Sequence, residues 1–520
     1  MSSSEPVLKQ LDIILPKPHL GDNRSHENRL RTELEELLNE KVSVPLWVAR
    51  KLKDLPQYNY QVKALVIKDQ HGWQLVDIFP KDANKTPLGL AIDLGSTSVV
   101  FYLVDFLKKQ VIKTVSEPNP QIAHGEDILD RILFAAKGEG LNILQKEVVD
   151  LFNNVIDRLV KEQGGLREDI FYISVAGNTT MCHFLMALDP SHLCKEPYIP
   201  VENSFDLIRA SEIGIKAHPL SYLYCFPNVG SYFGGDLLAG ILSSKMHKSE
   251  ELSMLVDVGT NAEVILGNNE WLVACAGAAG PALEGGILEC GMRAQPGAIE
   301  RVEIDPKTLE VKYKTIADAP PRGLCGSGII DLICAMFLSG IVEPTGKLVP
   351  DRDPKRMIQV KGDWAYIVAF EHETAHKRPV YITQSDIKNL IRSKGAMYTI
   401  LNVVIQSVGI EFKDIDKFYV AGAFGSYIDP EKAITIGMLP DIPRNRFVGL
   451  GNAAGKGAVE FLLNKDAMVE VEKIKQNITY LEMNVRGDFM NQLTGALFLP
   501  HTDISRFPSV KEKLARLDQN

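Results

Sequence analysis

Asp93-Leu94-Gly95-Ser96-Thr97 and Asp257-Val258-Gly259-Thr260-Asn261 share one arrangement of residue types: an acid, a glycine two positions on, and a hydroxyl side chain close behind. Each lies between two apolar runs, Leu90-Ala91-Ile92 and Val99 to Val104 for the first, Met254-Leu255-Val256 and Ala262 to Leu266 for the second. That pattern reads as strand, tight turn, strand. Glycine lets the backbone come close to a phosphate. Neighbouring N–H groups and hydroxyls then face the phosphate oxygens. The acid repels phosphate, but it holds Mg²⁺, mostly through water, and the ion offsets the phosphate charge. Asp93 and Asp257 are therefore candidate metal residues. Gly95, Ser96, Thr97, Gly259, Thr260 and Asn261 are candidate phosphate residues. One such turn alone reads more readily as an ordinary β-turn; two copies suggest two lobes gripping one polyphosphate.

Gly234-Gly235-Asp236 opens an apolar helical run, Leu237 to Leu242. A carboxylate there can orient an attacking water, which makes Asp236 the catalytic candidate; its structural alternative is a helix N-cap. The strand Phe418 to Ala421 leads into Gly422-Ala423-Phe424-Gly425, where Gly422, Ala423 and Gly425 can bed a nucleoside. Gly326 and Ser327 start a helix after Cys325, a position that favours an anion or, equally, close helix packing. These segments, in this order, resemble the ATPase superfamily of sugar kinases, heat-shock chaperone ATPases and actin. The resemblance implies an α/β fold with two actin-like, ribonuclease H-like lobes, and ATP with Mg²⁺ as cofactors.

Positioning these groups takes several domains, and 520 residues suffice for about three. Residues 1 to 87 read as a small α+β module with a linker. Ser25 caps a helix carrying Leu30, Leu34, Leu37 and Leu38, a short helix starts near Pro45, and Val62 to Ile67 with Trp73 to Ile78 flank a turn as a hairpin. Residues 88 to 250 form the first lobe and 251 to 510 the second. The stretch 504 to 520 reads as polar and frayed, with 511 to 520 as the tail. A glycine-dense loop is expected from Ala276 to Gly286. His183 falls inside a helix and reads as a packing residue.

The formal charge of −9, with no basic block, argues against nucleic acid or an anionic membrane surface as partner. No long uncharged apolar run and no signal peptide is visible, so a cytoplasmic protein is expected. The seven cysteines include no C-x-x-C pair and none precedes Cys182, which points to reduced, buried thiols.

A narrower resemblance rests on the loops. Val175-Ala176-Gly177-Asn178-Thr179-Thr180-Met181, Ala278 to Gly285, Cys290-Gly291-Met292-Arg293-Ala294, Pro296 to Glu300, Cys325 to Asp331 and Ala421 to Gly425 together look like the reductive activators of corrinoid proteins. That resemblance covers about Leu11 to His501. It implies an ATPase that helps return an inactive Co(II) corrinoid protein to Co(I) in the methyltransferase system of an anaerobe. A corrinoid protein is then the partner, and a homodimer is compatible with it. Such activators carry an iron–sulfur domain ahead of the linker. This sequence starts where that domain would end, so no iron–sulfur cluster is expected in it and a separate ferredoxin or flavodoxin is the expected electron donor, with a missed upstream start as the rival explanation. A small-molecule kinase and an activator of a 2-hydroxyacyl-CoA dehydratase are the alternative readings.

Overall fold

The computed structural model describes residues 5–259, 262–277, 288–425, 428–481 and 489–518. Two compact units divide the chain, Met1–Ser243 with Ala453–Gln476, and Ser244–Asn452 with Asn477–Asn520. A segment from late in the chain thus completes the first unit.

The first unit begins with β1 (Leu8–Ile14), α1 (His26–Leu38), β2 (Val42–Ser43), α2 (Leu46–Ala49), β3 (Gln61–Asp69) and β4 (Gly72–Pro80). The strands pair in the order β1-β3-β4-β2. Ser25 caps α1, its side chain accepting from the Asn28 N–H. Leu30 and Leu34 are buried against Val62, Ala64, Trp73 and Leu75, as the helical period requires. Leu37 has the same phase but is 60% exposed in the last turn. Polar contacts fasten this module to the lobe that follows it in the same unit. Tyr222 Oη donates to Asp69 Oδ2 at 3.0 Å, and Arg209 Nη2 donates to Gln74 Oε1 at 2.5 Å.

That lobe contains β5 (Leu88–Leu94), β6 (Ser98–Asp105), β7 (Gln110–Pro118), α3 (Ile128–Ala135), α4 (Gly140–Glu162), β8 (Ile170–Gly177), α5 (Thr179–Leu185), β9 (Ile208–Arg209), β10 (Tyr222–Cys225) and α6 (Gly235–Ser244). Its sheet runs β7-β6-β5-β8-β10-β9. β5, β8 and β10 are parallel, and β6 and β7 are antiparallel additions. β5 and β8 are covered on both faces, hence their unbroken apolar runs. Leu144, Val148, Phe152 and Val155 of α4 pack into the core of this sheet.

The second unit holds β11 (Ser253–Val258), β12 (Ala262–Gly267), β13 (Leu272–Gly277), β14 (Ala298–Ile304), β15 (Val311–Thr315), β16 (Gly323–Leu324), α7 (Gly326–Leu338), β17 (Met357–Val360), β18 (Asp363–Ala369), β19 (Val380–Thr383), α8 (Gln384–Ser407), β20 (Lys417–Ala421), α9 (Gly422–Gly425), α10 (Pro430–Thr435) and β21 (Phe447–Gly451). Its main sheet is ordered β21-β20-β11-β12-β13-β22, with β22 at Ile478–Tyr480. Leaving out the two-residue β9 and the edge strand β22, the five remaining strands of each sheet, numbered within the lobe, take the order 3-2-1-4-5, with strands 1, 4 and 5 parallel. This is the ribonuclease H-like, actin-type α/β arrangement, present once in each unit.

After β21 the chain re-enters the first unit as α11 (Ala453–Leu463), whose small residues serve close packing. A Cβ on Gly457 would stand 2.0 Å from the Ala239 carbonyl oxygen of α6. α12 (Ala467–Asn477), β22, α13 (Phe489–Ala496) and α14 (Pro508–Asp518) follow.

Two expectations are corrected here. The end of the chain is not frayed over 504–518: α14 is held by Phe507 and Val510, 0% and 1% exposed, and by Ser509 bonded to Asp441. β13 also continues through Ala276 and Gly277, and the rest of the expected loop, 278–286, lies outside the described residues. Among the described residues no helix is long and apolar enough to cross a membrane.

Candidate active site

In the first unit the parallel strands β5, β8 and β10 end on one edge of the sheet, where open α/β sheets place their ligands. Asp93 sits near the end of β5, beside Val100 on β6 and Ala176 on β8. Gly95, Ser96 and Thr97 make the turn into β6 and are partly exposed. β8 ends at Gly177, and Asn178 caps α5, its Oδ1 accepting from the Met181 N–H at 2.9 Å. The Gly230 carbonyl accepts from Thr179 Oγ1 at 3.1 Å, which ties the segment before α6 to the same edge.

Asp236 is the second residue of α6 and not its N-cap. The Gly234 carbonyl accepts from the Leu237 N–H at 3.2 Å, and Asp236 Oδ1 accepts from that same N–H at 2.9 Å. Gly234 must be glycine: a Cβ there would stand 2.5 Å from Asn178 Cα and 2.6 Å from Asp236 Oδ1. The missing side chain lets the Asp236 carboxyl and the Asn178–Thr179 turn close on each other.

The electrostatics of Asp236 set it apart. The carboxyl is deeply set in a residue that is half-buried overall. Burial first, and the charge of Asp93 second, push its pKa up to about 7. A carboxylate so poised can take a proton from water at neutral pH. Tyr102, in the same region, is pushed up to about 12, again by burial first and Asp93 second. Two acids that raise one another's cost of ionisation suit a site completed by a cation.

In the second unit Asp257 is the next-to-last residue of β11 and pairs in register with Ala421 of the parallel β20. The next residue, Gly422, has φ +79°, a left-handed conformation that glycine adopts without strain. A Cβ on Gly422 would stand 2.7 Å from Asp257 Oδ1 and 3.1 Å from the Val258 carbonyl oxygen. The structure therefore brings Asp257 together with the candidate nucleoside segment. That segment, including Ala423 and Gly425, is a single helical turn, α9. Gly259 follows β11 and is partly exposed, whereas Thr260 and Asn261 lie outside the described residues.

Gly326 and Ser327 open α7, which packs on β14 of a different sheet, β15-β14-β16. The next glycine, Gly328, serves that packing, since a Cβ there would stand 2.0 Å from the Ile299 carbonyl oxygen. His183 is buried, with Nδ1 2.8 Å from the Thr179 carbonyl oxygen, a packing environment that lowers its pKa by burial. The seven cysteines are free, and among the described residues no three of His, Cys, Asp and Glu gather as a metal ligand set. Behind the first phosphate turn stand two buried residues that no motif pointed to, Asn119 and Arg131.

Three family models cover the chain in succession. The RACo linker region matches 2–85, the RACo middle region 88–249, and the C-terminal domain of RACo, the ASKHA domain, 251–511. Corrinoid activation enzyme RamQ of Eubacterium limosum is 30% identical over 428 residues, which cover 81% of this chain and 72% of that protein. The Co(II) methylated amine-specific corrinoid protein reductase of Methanosarcina barkeri is 26% identical over 444 residues, 78% of this chain and 75% of that one. A solved structure, the reductive activator for corrinoid,iron-sulfur protein, superposes with a TM-score of 0.88 at 38% identity, over 97% of this chain and 81% of that chain.

Proposed function

This chain belongs to the family of reductive activators of corrinoid proteins, and from that premise we propose that it is a cytoplasmic ATPase that supports reduction of an inactive Co(II) corrinoid protein to Co(I). The observation that carries the ATPase half is the state of Asp236. A carboxyl held at about 7 beside a second acid, at the C-terminal edge of a parallel sheet, is an expensive arrangement for a purely structural role.

The residues present fit ATP and Mg²⁺. The Asp93 charge that raises Asp236 is of the sign a divalent cation would neutralise. In the second unit the backbone of Gly422 comes within contact of Asp257 because no side chain intervenes. Asp93 and Asp257 are the proposed magnesium residues, acting through its water shell. Gly95, Ser96, Thr97, Gly259, Thr260 and Asn261 are the proposed phosphate residues; Gly422, Ala423 and Gly425 are the proposed bed of the adenosine. Gly326 and Ser327 are proposed as a further nucleotide contact, through the N–H groups that start α7. When bound, ATP supplies the phosphoryl group and Mg²⁺ its countercharge.

The chain's own part in hydrolysis is then limited. Backbone N–H groups and hydroxyls of the first turn orient the phosphates. Asp236 orients a water through its carboxylate and accepts the proton at a carboxylate oxygen. Its raised pKa sets the pH at which that oxygen is free to accept.

Replacing Asp236 by Ala tests this. The expected result is loss of ATP turnover with ATP still bound. Turnover at the wild-type rate would remove Asp236 from the mechanism.

A further inference from the structure

The first phosphate turn, Gly95 to Thr97, is held from behind by two side chains from outside it. Asn119 follows β7 and is 1% exposed; Arg131 lies on α3 and is 0% exposed. Asn119 Nδ2 donates to the Gly95 carbonyl at 2.9 Å, and the Asn119 N–H donates to the Thr97 carbonyl at 2.9 Å. Arg131 Nη1 donates to the Ser96 carbonyl at 2.7 Å. Arg131 also donates from Nε to the Gly125 carbonyl at 2.9 Å and from Nη2 to the Glu126 carbonyl at 3.4 Å. Three consecutive carbonyls of the turn therefore face inward.

Peptide planarity gives this a consequence. In a trans peptide the C=O of one residue and the N–H of the next point in opposite directions. Drawing the Gly95 carbonyl inward sends the Ser96 N–H outward. Drawing the Ser96 carbonyl inward does the same for the Thr97 N–H. Two consecutive donors are thereby aimed to the outer side of the turn, the geometry of a backbone anion nest.

The charge of Arg131 adds to this. Among the described residues its hydrogen-bond partners are backbone carbonyls and the Met181 sulfur, with no carboxylate. The Asp127 carboxylate acts on Arg131 through space without a hydrogen bond, and burial still outweighs that help, so the cation is costly to keep. An anion on the far side of one peptide layer would add countercharge to that of Asp127.

We propose that Asn119 and Arg131 are positioning residues of the nucleotide site, aiming the Ser96 and Thr97 N–H groups at the polyphosphate while Arg131 provides positive charge behind them. This rests on the ATPase reading above and goes beyond it, since neither side chain touches the nucleotide. Adenosine lacks the phosphates that these N–H groups would meet, so the effect is confined to phosphate recognition.

The test is ATP binding by calorimetry, and adenosine binding by saturation-transfer NMR, on the full chain as wild type, Arg131→Met and Asn119→Leu. Each variant is expected to bind ATP about tenfold or more weakly, the scale of a lost hydrogen bond to charge, with adenosine affinity changed by less than about twofold and the fold unaltered by circular dichroism. A folded variant with wild-type ATP affinity would overturn the proposal. So would equal loss of ATP and adenosine, the mark of a merely structural role. If Arg131→Met fails to fold, Asn119→Leu decides by the same criteria. A wild-type chain that binds no ATP would defeat the ATPase reading itself, and the positioning role with it.

Discussion

Asp236→Asn should make the nucleotide-free protein more stable while destroying its activity. The carboxyl has a pKa of about 7 in the folded chain against 3.8 for the free group. That difference, at about 1.4 kcal/mol per unit, sets a ceiling of about 4 kcal/mol. The residue is only half-buried and the surroundings relax on ionisation, so about 2 kcal/mol is the working figure. The sign follows from the direction of the shift. A carboxyl raised on folding contributes fully to stability below its unfolded pKa, loses that contribution as pH rises to about 7, and changes nothing further above it. An uncharged amide of the same shape escapes the loss and can still accept from Leu237. The gain from Asn should therefore be complete at pH 8.5 and fall to about 0.5 kcal/mol at pH 4. For a unit of this size it corresponds to a rise of roughly 4–8 °C in its melting transition at pH 8.5. Scanning calorimetry without magnesium or nucleotide, at both pH values, measures it. A gain of equal size at the two pH values, or none at pH 8.5, would refute the premise that Asp236 is held at a cost.

Further outcomes follow from other contacts. In an Asp93→Asn background the stability gain of Asp236→Asn should shrink by about 1 kcal/mol, because the charge of Asp93 is the second cause of the raised pKa; a double-mutant cycle reads this coupling. Gly422→Ala places a methyl 2.7 Å from Asp257 Oδ1 at φ +79°, and should cost about 1–3 kcal/mol of stability and weaken ATP binding, both measurable by calorimetry. Phe507→Ala should cost about 3–5 kcal/mol, seen as a lowered melting transition, since the ring is 0% exposed beneath α14.

Local chemistry made much of this fold legible. The Ser25 cap, the hairpin from Val62 to Ile78 and the apolar strands ahead of Asp93 and Asp257 follow from short-range rules, and each is present. The end of the chain misled because its composition is polar, while its anchorage depends on Phe507 and Val510 meeting a distant core. The order 3-2-1-4-5 in each unit is a long-range property that no window of sequence states. The acid at 236 could be named from its glycines, but its pKa arises from burial and from Asp93, far away in the chain. Arg131 was invisible for a similar reason: its partners are backbone carbonyls, one of them at Ser96, and carbonyls leave no trace in side-chain spacing.

The most direct measurement follows the cobalt spectrum of a Co(II) corrinoid protein mixed with this chain and a chemical reductant, with and without Mg-ATP. Co(I) should accumulate with ATP and wild-type protein, and should fail to do so without nucleotide or with Asp236→Ala. An equal yield of Co(I) in the absence of ATP would contradict an ATP-driven activator.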